Sequence, residues 1–380
     1  MLPPTAEADQ TDPFARLAEE LADLGGRAGL DAIGVAGAEP FDDVRAEIER
    51  RRDLGLHGDM QFTFRNPARS TDPRRIVPDA RSLVVGALRT PAARLAEVAK
   101  GRMRIAAYAR HDHYAALRSG LEAVAVRLRA DGWTARVVAD DNALVDRAAA
   151  VRAGIGWWGR NANVLVPGRG SWFVLGSVVT DAPLPASKPV PDGCGTCRRC
   201  LELCPTGAIL DGGVIDARRC LAWLVQAPGP IPREFREVLG GRLYGCDDCQ
   251  EVCPVGRPER AGDGAEDPAA DVEALSVLDA TDDEVMERFG RWYVAERDPR
   301  YLRRNALVAL GNTGCVDDPA TLGALVGHLA HADPLVRAHA VWAAARLGRT
   351  DLLADHPDRE PGGDPEVAEE LRWSDGRVGA

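Results

Sequence analysis

"CGTCRRCLELCPTGAI", Cys194 to Ile209, sets four cysteines within eleven residues and follows the last with a proline. A second stretch, "CDDCQEVCP" from Cys246 to Pro254, repeats the pattern with one cysteine fewer. The first run has the spacing C-x2-C-x2-C-x3-C-P, in which three thiolates cap irons of one cubane and the fourth serves a second cubane. Under that rule the member absent from the second run is Cys220, displaced by the insertion "CLAWLVQAPGPIPREFREVLGGRLYGC". Two 4Fe-4S clusters are therefore expected, one on Cys194, Cys197, Cys200 and Cys253, the other on Cys204, Cys220, Cys246 and Cys249. Structural zinc is the alternative, since paired C-x2-C units also bind it. Zinc, however, requires neither the third cysteine at x2 nor the proline after the last, and both runs end in Cys-Pro.

The rest of the composition agrees with a metal reading. Of nine cysteines, eight fall between Cys194 and Cys253, and an odd number crowded into one segment is poor material for a disulfide framework. Cys315, in "GNTGCVDD", reads as an incidental small residue. The 380 residues carry a net charge of -11, which argues against a globally basic nucleic-acid binder and leaves room only for a local basic patch. No apolar run approaches the roughly 20 residues of a membrane span, and the N-terminus lacks a basic segment followed by an apolar core. The expectation is a cytoplasmic protein with no membrane partner. Arginine abundance carries no weight by itself, because only Lys100 and Lys188 are lysines and the bias is general.

Along the chain, "DPFARLAEELADLGG" opens with an Asp-Pro cap signal and closes in glycine, as a helix does. "SLVVGAL", "TARVVAD" and "SWFVLGSVVT" are short β-branched runs bounded by turn residues and read as buried strands. "HYAALRSGLEAVAVRLRADG" has apolar residues at helical spacing. The proline-rich "TDAPLPASKPVPDG" leads into the cysteine region, and "GRPERAGDGAEDPAAD" reads as an exposed linker after it. Beyond the linker, Arg303, Ala306, Leu307 and Ala309 recur as Arg337, Ala340, Val341 and Ala343, which suggests HEAT-like helix pairs as against an ordinary bundle.

The flanking residues name the surroundings of the clusters. "GLHGDMQFTFRNPARSTDPRRIVPDARSLVVGAL", "VVADDNALVDRAAAVRAGIGWWGRNANVLVPGRGSWFVLGSVVTDAPLP" and "YLRRNALVALGN" together resemble the epoxyqueuosine reductase family over about residues 13 to 350, with "AGIGWWGRN" the most distinctive piece outside the cysteines. The resemblance implies an oxidoreductase that removes the epoxide oxygen of epoxyqueuosine at the wobble position of tRNA, with electrons passing through the two clusters to cobalamin. It implies an α+β protein: a cobalamin-binding catalytic domain over residues 1–187, a double 4Fe-4S ferredoxin-like domain over 188–258, a linker over 259–273, a HEAT-like helical domain over 274–350 and an acidic tail over 351–380. The electron donor is not identified by any motif.

By the same resemblance Asp140 matches the catalytic aspartate, the proton donor. It lies six residues before Asp146 and seven before Arg147, which stand at the family's Glu and Arg/Lys positions. Ala143 stands where the family often has proline. The resemblance places Asp247 and Asp248 against cobalamin, and Ala222 where relatives often offer a serine, so that only a backbone contact remains there. The glycines of "AGIGWWGRN" and "PGRGSW" suit close approach of backbone to a large flat ligand. His57, His111 and His113 are candidate axial ligands, each weighed against a packing or surface role.

For the tRNA anticodon stem-loop, residues 288 to 304 offer six arginines against Glu296 and Asp298, interleaved with Trp292, Tyr293 and Tyr301. Arginine with aromatics suits phosphate contact and base stacking, and Arg300, Arg303 and Arg304 are the expected tRNA contacts. Two other functions fit the same motifs: a cobalamin-dependent reductase of a small molecule, and a ferredoxin-type electron carrier with no reaction of its own.

Overall fold

A computed structural model describes residues 12–90, 98–256 and 267–377. The chain is mixed α/β and divides into two compact units, one of residues 1–90 and 113–197, the other of residues 91–112 and 198–380.

The first unit is built on a four-stranded antiparallel sheet in the order Ala32–Gly37, Ser82–Arg89, Phe173–Thr180, Ala135–Ala139. Successive residues of a strand point to opposite faces. Accordingly Leu83 and Val85 join one core with Ile48, Leu144 and Ala149, while Val84 joins another with Leu21, Leu117 and Leu121. Both faces are thus covered, which is why these strands read as continuous apolar runs instead of alternating ones. The long helix His113–Ala130 buries Leu117, Leu121, Val124 and Leu128 along one stripe. Each such side chain, fully withdrawn from water, contributes roughly 1.5–3 kcal/mol. Asp12 accepts the Phe14 N–H and Pro13 begins the helix Pro13–Arg27, as the Asp-Pro signal predicts. The strand Ala135–Ala139 lies at the sheet edge, so the chain that leaves it, beginning with Asp140, is bounded by sheet on one side only.

In the second unit the strand Arg102–Ile105 is central, with Arg242–Tyr244 parallel to it and Asp271–Glu273 antiparallel. The expected linker over 259–273 is therefore folded in its last part: Arg102 binds Asp271 at 2.7 Å within the pairing. Residues 259–266 of that linker lie outside the described residues. The helices Arg300–Thr313 and Pro319–Leu329 both pack on Pro334–Arg346, and the Asp318 and Asp333 side chains cap the last two of the three by accepting backbone N–H groups. Gly311 permits the closest approach, since a Cβ there would meet the Trp342 ring at 2.8 Å. The segment after Cys220 shares one core with these helices, Leu221, Leu224, Phe235 and Leu243 packing in the same cluster as Leu307 and Trp342.

The acidic tail is part of this unit. Helix Pro365–Arg377 packs on Pro334–Arg346, with Val367 and Leu371 buried four residues apart. Glu370 meets the buried Arg236 at 2.9 Å. Among the described residues, no helix is long and apolar enough to cross a membrane.

Candidate active site and cluster ligands

Asp140 follows the edge strand directly and adopts φ +52°, a left-handed conformation that costs an ordinary L-residue of order 1–3 kcal/mol. The neighbouring backbone is tied on both sides. Arg118 donates to the Ala139 carbonyl at 2.9 Å, and the Ser70 hydroxyl donates to the Asn142 carbonyl at 2.6 Å. Asp141 caps its own turn, its side chain accepting the Ala143 N–H at 2.8 Å, so alanine at position 143 leaves the turn closed. Arg118, Glu122, Val137, Asp140 and Asp141 are among the residues that line a cleft of about 490 Å³.

Partial desolvation by the surrounding protein pushes the Asp140 carboxyl above the usual range, with Arg118 opposing and Asp141 adding, although the residue is exposed at the surface. Burial pushes Tyr114 up as well, reinforced by Asp140 and Asp146, so its phenol stays neutral and able to donate. Arg118 lies 5.8 Å from the centre of the Tyr114 ring. A carboxylic acid whose pKa is raised, at a cleft and with a neutral phenol among its neighbours, is equipped for proton donation. Sequence reasoning found Asp140 but neither Tyr114 nor Arg118, which carry no local motif and arrive through the helix His113–Ala130.

All eight expected cluster cysteines are partly exposed and none forms a disulfide. In the first unit, Cys194 accepts the Trp157 indole N–H at 3.4 Å, and its own N–H is held by Asp192 at 2.8 Å. In the second unit, the Cys204 sulfur accepts the Ala208 N–H at 3.3 Å, and the short helices Arg199–Glu202 and Asp248–Glu251 pack together. Burial first, then Asp248 and Cys220, pushes Cys246 up; Cys249 is pushed well up by burial, Cys246, Cys220, Asp247 and Cys200. Sulfurs so crowded become thiolates only against the charge of a metal. Among the described residues no three His, Cys, Asp or Glu side chains gather on a single ion. A cubane asks for something else, one thiolate per iron.

At the residues expected to meet cobalamin, the Asp247 and Asp248 carboxylates are engaged within the protein. Asp247 accepts the Ala107 N–H at 2.7 Å and the Gln250 amide at 3.2 Å, and burial pushes its carboxyl up to about 6. Both oxygens of Asp248 are taken by one nitrogen of Arg242, at 2.7 and 2.8 Å. Ala222 is half-buried. The glycines of "AGIGWWGRN" are spent within the protein: a Cβ on Gly156 would meet the Leu165 carbonyl at 2.2 Å, and one on Gly154 the Lys188 carbonyl at 2.2 Å. His111 pairs with Asp267 at 3.1 Å, and His57 packs beside Phe64.

The expected tRNA arginines need correction. Arg304 is fully buried and donates to the carbonyls of Leu224 and Ala227 at 3.0 and 2.7 Å and to that of Gly229. Arg303, also buried, binds Asp282 and the Ala280 carbonyl. Arg300 is half-buried among Glu296, Asp298 and Asp333. Trp292 and Tyr301 are core residues, which leaves exposed Arg288, Arg291, Tyr293 and Arg297 as the outward part of the stretch.

Fold and cysteines together define an iron-sulfur oxidoreductase. Residues 193–256 match the model of a 4Fe-4S double cluster binding domain. The chain is 31% identical to epoxyqueuosine reductase of Bacillus cereus, with 88% of this chain and 90% of that protein aligned. It is 33% identical to that of Xanthomonas campestris pv. campestris, with 90% and 98% aligned. A crystal structure of epoxyqueuosine reductase with an epoxyqueuosine-modified tRNA-Tyr stem loop superposes with a TM-score of 0.85 at 29% identity, over 97% of this chain and 100% of that one. The chain belongs to the epoxyqueuosine reductase family.

Proposed function

We propose that this protein reduces epoxyqueuosine to queuosine at the wobble position of tRNA, in the cytoplasm, with Asp140 as proton donor. The observation that carries the reading is the placement of Asp140: a strained left-handed residue on a pinned loop, holding a carboxyl with a raised pKa at a cleft. Taking the oxygen off an epoxide as water consumes two electrons and two protons. The departing oxygen is a poor leaving group until protonated, and a positioned acid contributes about 10²- to 10⁴-fold. Tyr114, held neutral by burial, adds no charge of its own to the surroundings of that acid.

Two 4Fe-4S clusters on Cys194, Cys197, Cys200, Cys253 and on Cys204, Cys220, Cys246, Cys249 account for all eight clustered thiols. Cobalamin, when bound, supplies a low-valent cobalt as the reductant. The backbone of residues 246–249 and the methyl of Ala222 would hold it. The HEAT-like reading of residues 274–350 gives a scaffold for the tRNA anticodon stem-loop, and the outward Arg288, Arg291, Tyr293 and Arg297 suit phosphate and base contact. In the test, protein reconstituted with iron, cobalamin and a chemical reductant converts epoxyqueuosine in tRNA, and Asp140→Asn abolishes conversion with both clusters retained. Full activity of Asp140→Asn would overturn the assignment.

A further inference from the structure

Strands Trp157–Trp158 and Val164–Leu165 pair as a hairpin closed by a tight loop, in which the Gly159 N–H donates to the Asn163 carbonyl at 2.8 Å and the Ala162 N–H to the Gly159 carbonyl at 2.9 Å. Arg160 rides on that loop, and its Nη2 donates to the Gly195 carbonyl at 2.9 Å. Gly195 lies between Cys194 and Cys197 with φ +51°, which glycine adopts without strain, and the Cys197 N–H closes the turn on the Cys194 carbonyl at 3.0 Å. The same hairpin sends the Trp157 indole N–H to the Cys194 sulfur, and a Cβ on Gly193 would meet the Trp157 ring at 2.7 Å. The Nε of Arg160 is buried and finds no acceptor among the described residues, nor does the guanidinium join an ion pair among them. Nε–H and Nη2 share one edge of the planar guanidinium, so the unpaired donor faces the same way as the paired one, toward the Cys194–Cys197 turn. A buried N–H is costly to leave unpaired, and the protein supplies nothing to receive this one. An iron-sulfur cluster on those cysteines presents what is lacking, sulfur atoms that carry negative charge.

We propose that Arg160 binds the 4Fe-4S cluster of Cys194, Cys197, Cys200 and Cys253, donating its Nε–H to a sulfur of that cluster and so setting the cluster's reduction potential. This rests on the reading of these cysteines as cluster ligands. The bond to the Gly195 carbonyl aims the guanidinium, and the Nε–H is the part that acts on the cluster. Reduction adds one electron and makes the cluster more negative, so a charged donor in contact with it favours the reduced state. Arg160 and Trp157 thus act from one hairpin in the same direction, making this cluster a readier acceptor for electrons from the external reductant.

Two substitutions separate the donor from the hold on the turn. Arg160→Gln keeps an amide N–H for the Gly195 carbonyl but has neither the charge nor the Nε–H, and Arg160→Met keeps only apolar volume. Full-length protein reconstituted with iron is titrated anaerobically with dithionite and followed by EPR, beside wild type and Trp157→Phe, with iron content measured throughout. The Gln variant is expected to keep about eight irons per chain. In both Arg160 variants one cluster becomes harder to reduce, its reduced-to-oxidised ratio at a fixed potential falling about tenfold, the scale of one hydrogen bond to a charged group. The other cluster does not move, and the one that moves is the one Trp157→Phe also shifts. An unchanged potential in the Gln variant, an equal shift of both clusters, a shift of the cluster that Trp157→Phe leaves alone, or loss of iron in the Gln variant would each overturn the inference. Zinc in place of iron in the wild-type protein would instead sink the reading of the cysteines beneath it.

Discussion

The indole N–H of Trp157 donates to the sulfur of Cys194 across 3.4 Å. Hydrogen bonds to cluster sulfurs stabilise the more negative, reduced state and so raise its potential. At about 1 kcal/mol for a net hydrogen bond, Trp157→Phe should lower the potential of the cluster bound by Cys194 by about 40 mV. Redox titration followed by EPR checks this, and the other cluster should not move.

Asp140 gives the pH profile its sign. Its carboxyl is held above the usual range by burial, so the proton is present at low pH and is lost as pH rises through the raised value. Turnover in single-cycle assays should therefore fall on the alkaline side. A rate that climbs steadily with pH across the same interval contradicts the role of Asp140 as acid.

Stability should carry an acid limb from His339. The ring is buried, with Nδ1 2.8 Å from the Leu335 carbonyl and Nε2 accepting the Ile231 N–H at 3.3 Å. Burial, aided by Arg236, holds its pKa well below the ordinary histidine value. A depressed pKa stabilises the fold above the unfolded value of 6.5 and loses that contribution as pH falls below it. The slope is at most about 1.4 kcal/mol per pH unit. Denaturant unfolding at pH 7.5 and 5.5 should show this limb in wild type and a shallower one in His339→Gln.

Arg304 separates structure from RNA contact. Burial lowers its pKa to about 9, so the guanidinium remains charged while three backbone carbonyls accept from it. Arg304→Met leaves those carbonyls unpaired and should cost at least about 3 kcal/mol of stability. The salt dependence of tRNA affinity should be unchanged in that variant. Replacing Arg288 or Arg297 by Gln should instead reduce the salt slope by about 1 each while leaving stability near wild type.

Metal analysis tests the cysteine reading directly. Anaerobically prepared protein should contain about eight irons per chain, two cubanes of four. Zinc in their place would contradict it.

The legible parts of this molecule are those where a physical constraint writes a pattern. The strand Ser82–Arg89 was expected from "SLVVGAL" because a strand covered on both faces must be apolar throughout. The cysteine runs are legible because a cubane fixes ligand spacing. Composition misled at the tail, where acidic residues hide Val367 and Leu371; their spacing of four and the Asp364-Pro365 cap before them mark the packed helix. It misled again at Arg303 and Arg304, since counting charges does not tell which way a guanidinium points. Trp157 and Tyr114 belong to sites through distant pairing, and nothing local marks them.

Asn305 donates to the carbonyls of Val225 and Leu243, at 2.8 and 3.0 Å, next to the three carbonyls held by Arg304. One turn of helix thereby stitches down both ends of the long excursion that separates Cys220 from Cys246. The C-terminal helices are consequently not a detachable appendage: a fragment ending before Arg300 would strand five carbonyls without donors and let the second sulfur set drift, so excising the helical part should forfeit iron as well as RNA.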